Sequence, residues 1–95
     1  MPKYFTHLAS NNAPKNALQT AALRMLKSQS HRLIDDADMF IHELIAATEL
    51  LNNLYPRCTP LRPSTYNYGS AIAFYLGDAF TVGFKLHPVK EDADG

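Results

Sequence analysis

The chain has 95 residues, 46% of them hydrophobic and 19% charged, a composition that excludes a disordered polymer and allows one hydrophobic core. Its single cysteine, Cys58, excludes an internal disulfide framework and a multi-cysteine zinc site. Nine Lys and Arg balance nine Asp and Glu, yet the charges are segregated: Lys3, Lys15, Arg24, Lys27 and Arg32 precede every acid, and Asp35, Asp36, Asp38, Glu43 and Glu49 then follow uninterrupted.

Residues 3–8, Lys-Tyr-Phe-Thr-His-Leu, have strand-forming types at strand length and predict a short N-terminal strand or arm. Asn12 and Pro14 then supply helix-start chemistry, so helix is expected from about residue 13 with Asn12 as its N-cap. From 13 to 55 the apolar residues Leu23, Leu26, Leu33, Ala37, Phe40, Leu44, Ala47, Leu51 and Leu54 keep an amphipathic 3-4 spacing. Ser28-Gln29-Ser30 interrupts that stripe between a basic end and an acidic start, which leaves one long helix and two antiparallel helices both open.

Tyr55 and the prolines at 56, 60 and 63 stop the helix and predict an extended connector over 56–69. Its Pro60-Leu61-Arg62-Pro63 fits the PxxP spacing, a pattern too short to carry a function by itself. Residues 70–87 predict a β-hairpin turning at Gly77-Asp78-Ala79. A three-residue loop pairs 72 with 84, 74 with 82 and 76 with 80, so Ile72, Phe74, Leu76, Phe80, Val82, Phe84 and Leu86 share one face. The helical stripe is the cover expected for that face, and either the 3–8 segment supplies a third strand or a second subunit extends the sheet. Residues 91–95 read as an acidic tail. The expectation is one α+β domain, 1–95, with helices packed on a small antiparallel sheet.

Chemistry-bearing motifs are scarce. On a continuous helix His31, Asp35, Asp38 and His42 share one face, but they span roughly 16 Å and cannot all ligate one ion. Cys58 has no histidine near it in sequence, and neither a GxGxxG nor a Walker loop is present. Tyr66 and Tyr68 read as packing at the start of the hairpin, with base stacking beside Arg62 as the alternative. His7 and His87 meet if the N-terminal strand pairs with the second hairpin strand.

These features predict a non-enzymatic module without cofactor or metal that binds a larger protein partner stoichiometrically. Asp35, Asp36, Asp38 and Glu43 form its candidate contact surface. Phages and mobile elements use small motif-poor domains of this kind as inhibitors, an analogy rather than a property of any residue. The alternative is a nucleic-acid-associated regulator using Lys15, Arg24, Lys27 and Arg32, and an enzyme ranks third. The complementary charge blocks also suit a homodimer. No segment carries a signal-peptide pattern or the roughly 18 apolar residues of a membrane span, so the expected location is cytoplasmic.

Overall fold

A computed structural model describes residues 3–90; the acidic tail expected at 91–95 lies outside them. Strand β1 (Tyr4–Asn11) is followed by helix α1 (Ala17–Ser28), strand β2 (Leu33–Ile34) and helix α2 (Ala37–Leu54). Strands β3 (Ser64–Tyr68), β4 (Ala71–Tyr75) and β5 (Thr81–Pro88) complete the fold. All strand pairs are antiparallel, in the order β2-β1-β5-β4-β3. The fold is thus α+β as expected, but its sheet has five strands and draws on both ends of the chain.

The hairpin register agrees with the sequence reading: Ile72 pairs with Phe84 and Phe74 with Val82, and the Leu76 amide donates to the Phe80 carbonyl at 2.9 Å. All seven apolar residues of that face are buried, joined by Leu18, Leu26, Phe40 and Leu44 from the helices. Phe40 and Phe74 each meet the Phe84 ring edge-on, at 5.5 and 6.0 Å between centroids, an arrangement the ring quadrupoles favour.

Helix α1 starts later than the sequence suggests. Asn16 is the N-cap, accepting from the Gln19 amide at 2.8 Å, while the Gln19 side chain accepts from the Lys15 amide at 2.7 Å. This reciprocal closure outcompetes Asn12, whose side chain instead extends the sheet by accepting from the Thr81 amide at 2.7 Å. The 13–55 region is not one helix. It breaks after Ser28, and Leu33 and Ile34 pair with Phe5 and Tyr4. Leu33 consequently leaves the helical stripe and lies exposed, as does Leu54 near the end of α2.

The connector also departs from expectation, because its second half is β3. The first half is fixed to α2 by Asn52, whose side-chain amide donates to the Leu61 carbonyl at 2.9 Å and whose oxygen accepts from the Leu61 amide at 2.8 Å. That clamp seats Leu61 in the core.

Candidate functional site: the open face of the sheet

Strand alternation sends successive side chains to opposite faces. Both helices pack on the face that holds the core, and no described element covers the other one. The uncovered face is aromatic. From β3 and β4 it presents Tyr66, Tyr68 and Tyr75, which are 50%, 65% and 44% exposed. From β1, β5 and the turn before β2 it presents Phe5, His7, His87 and His31. Ala71, Ala73 and Gly83 form a low floor between the two groups. Gly83 suits that floor because a Cβ there would meet the Ser10 hydroxyl at 2.7 Å.

The Tyr66 and Tyr68 rings lie 6.1 Å apart and within 10° of parallel, while Tyr75 stands edge-on to Tyr66 at 5.3 Å. Tyr66 and Tyr68 do not pack at the start of the hairpin as expected; their rings stand on the solvent side. The reason is the parity of β3, which sends Thr65 and Asn67 toward the helices and Tyr66 and Tyr68 away from them.

Pairing of β1 with β5 does bring His7 to His87, at 6.0 Å between centroids. Their sequence context gave no sign that His31 would join them, yet it lies 5.7 Å from His7 and 5.6 Å from Phe5. His31 adopts the left-handed conformation, φ 63°, in the turn after α1. Its amide donates to the Thr6 carbonyl at 2.7 Å, which ties that turn to β1. No Asp or Glu projects from the strands onto this face, whereas Lys85 does, paired across the strands with His7. Among the described residues no group of three His, Cys, Asp or Glu side chains is arranged to hold a metal ion.

The acidic residues gather elsewhere, around the start of α2. Asp36 caps the helix, accepting from the Asp38 amide at 2.9 Å and the Met39 amide at 3.3 Å. Glu43 pairs with Arg32 at 3.4 Å, with both side chains about half exposed. Asp35 and Asp36 line two neighbouring clefts of about 180 and 340 Å³, the first with Arg32 and Glu43, the second with Lys3 and Asp38. The shared helical face of His31, Asp35, Asp38 and His42 does not form, because His31 and Asp35 precede α2 and only Asp38 and His42 belong to it. The His42 ring instead turns back to the Asp38 carbonyl at 2.7 Å.

The four basic residues sit in different settings. Arg24 and Lys27 flank a cleft of about 360 Å³ with Pro14, Thr20 and Leu23. Lys15 reaches the Asp78 carbonyl at 3.3 Å and Arg32 is engaged by Gln29 and Glu43. Cys58 is half-buried beside the core. No helix among the described residues is long and apolar enough to cross a membrane.

No family model, no curated protein and no solved structure matches this chain.

Proposed function

We propose that this protein is a non-enzymatic cytoplasmic binding module whose working surface is the open face of its sheet, and that its partner is single-stranded nucleic acid. The observation that carries this reading is the set of exposed rings on a face free of strand carboxylates. Every base offers a π face, so aromatic side chains beside basic groups hold a single strand with little dependence on sequence. Tyr66, Tyr68 and Tyr75 supply stacking at one end of the floor. Lys85 and the three histidines supply phosphate contacts at the other. The basic residues of α1 act in this reading through long-range attraction alone.

Fluorescence anisotropy of labelled single-stranded DNA and RNA at 50 mM salt tests it. Stacking contributes about 1–3 kcal/mol per base, so Tyr66→Ala combined with Tyr68→Ala is expected to weaken binding at least about tenfold. Arg24→Glu, which alters the basic helix, is expected to change it far less. An absence of binding at 50 mM salt, or equal binding by the tyrosine variant, sinks the proposal.

The acidic corner supports a second reading, in which the module inhibits a larger protein by occupying a basic groove. Asp35 and Asp38 favour it, because both are exposed and neither carboxylate has a hydrogen-bond partner among the described residues. Asp35→Lys with Asp38→Lys would abolish binding to such a partner. A partner retained equally by the wild type and this variant in affinity capture excludes the reading.

A further inference from the structure

The two edges of the sheet differ. Strand β2 is two residues long and offers a second chain almost nothing to pair with. Strand β3 is five residues long, Ser-Thr-Tyr-Asn-Tyr, and pairs in unbroken register with β4 alone. Natural edges of that length are normally blunted by a charge, a proline or a bulge, since unpaired backbone is a template for another strand. From Ser64 to Tyr68 there is none of these.

Which backbone groups are unpaired follows from the ladder. Ser70 accepts from the Leu86 amide and Leu76 donates to Phe80, so the even-numbered residues of β4 bond to β5 and the odd-numbered ones face β3. Ala71, Ala73 and Tyr75 therefore bond to Tyr68, Tyr66 and Ser64. The amides and carbonyls of Thr65 and Asn67 point off the sheet, and none has a partner among the described residues.

We propose that β3 pairs antiparallel with β3 of a second copy, about a two-fold axis at Tyr66. In that register each Thr65 exchanges both hydrogen bonds with Asn67 of the other copy. The Gly69 amide meets the Pro63 carbonyl at either end, where the proline has no N–H to leave unpaired. Nothing charged lies between Pro63 and Ser70, so the like-charge repulsion that closely opposed strands suffer is absent. The axis sets the two Tyr66 rings side by side and joins both aromatic faces into one surface. A five-residue edge buries less than the roughly 1,200 Å² of a stable interface, so the pair is a transient one. The pairing stands on the backbone and is independent of the nucleic-acid reading.

Light scattering on the full chain from 20 µM to 1 mM, at 50 and 500 mM salt, tests it. The molar mass is expected to rise from 10.6 kDa toward twice that value at both salts. Thr65→Pro removes an outward amide that the β4 ladder does not use, together with a half-buried side chain, and is expected to abolish the rise. Should that variant fold poorly by circular dichroism, wild-type NMR decides. The Thr65 and Asn67 amide signals move with concentration, and that of Tyr66, already bonded to β4, moves far less. A monomer at 1 mM, a folded Thr65→Pro that still dimerises, or a dimer that dissolves at 500 mM salt would overturn the proposal.

Discussion

Every polar group of Thr6 is engaged by the turn that separates the two helices. Its hydroxyl donates to the Gln29 carbonyl at 2.7 Å and accepts from the Arg32 amide at 2.8 Å, while its own backbone bonds to Arg32 and His31. The side chain is fully buried. Thr6→Val keeps the shape and leaves the Gln29 carbonyl and the Arg32 amide unpaired. At about 1–3 kcal/mol per unsatisfied group, a loss of about 2–6 kcal/mol is expected in urea unfolding, and a much smaller one for Thr6→Ser, which keeps the hydroxyl. Because this turn also seats His31 beside His7, the valine variant is expected to disturb the histidine end of the open face and spare the tyrosine end.

At the level of elements, legibility in the sequence tracked how local the signal was. The hairpin is readable to its register because period-two alternation and a Gly-Asp turn reside within one short segment. The break near Ser28-Gln29-Ser30 is visible as a lapse in the apolar stripe. Strand β2 is not, since two residues carry no period and are held in place by β1. Strand β3 is hidden for a different reason: it buries none of its residues, so it lacks the apolar alternation that marks a half-covered strand. Tyr66 and Tyr68 read from the sequence as hairpin packing because a strand that is not recognised has no parity, whereas Tyr75 falls on the outward side by the alternation of β4. Parity also separates stability from binding. Phe84→Ala in the core is expected to cost about 3–5 kcal/mol. Tyr68→Ala on the open face is expected to stay within about 0.5 kcal/mol; thermal unfolding of the two variants checks both values.

For the molecule as a whole, one sheet serves two surroundings. The helices occupy one side and complete the core, and the other side keeps its rings in water at a cost in solubility that a purely structural sheet would avoid. The segregated charges are partly reconciled within the chain, through Arg32 with Glu43, and partly left outward at Asp35 and Asp38. The sheet order has one more consequence. Strand β1, the first made, lies between β2 and β5, and Tyr4 is matched to Pro88. During synthesis β1 therefore waits, with a long flank unpaired, until β5 has left the ribosome. Assembly is thus a late, all-at-once event with a high contact order, and a nascent chain halted before β5 exposes an aggregation-prone strand for as long as the halt lasts.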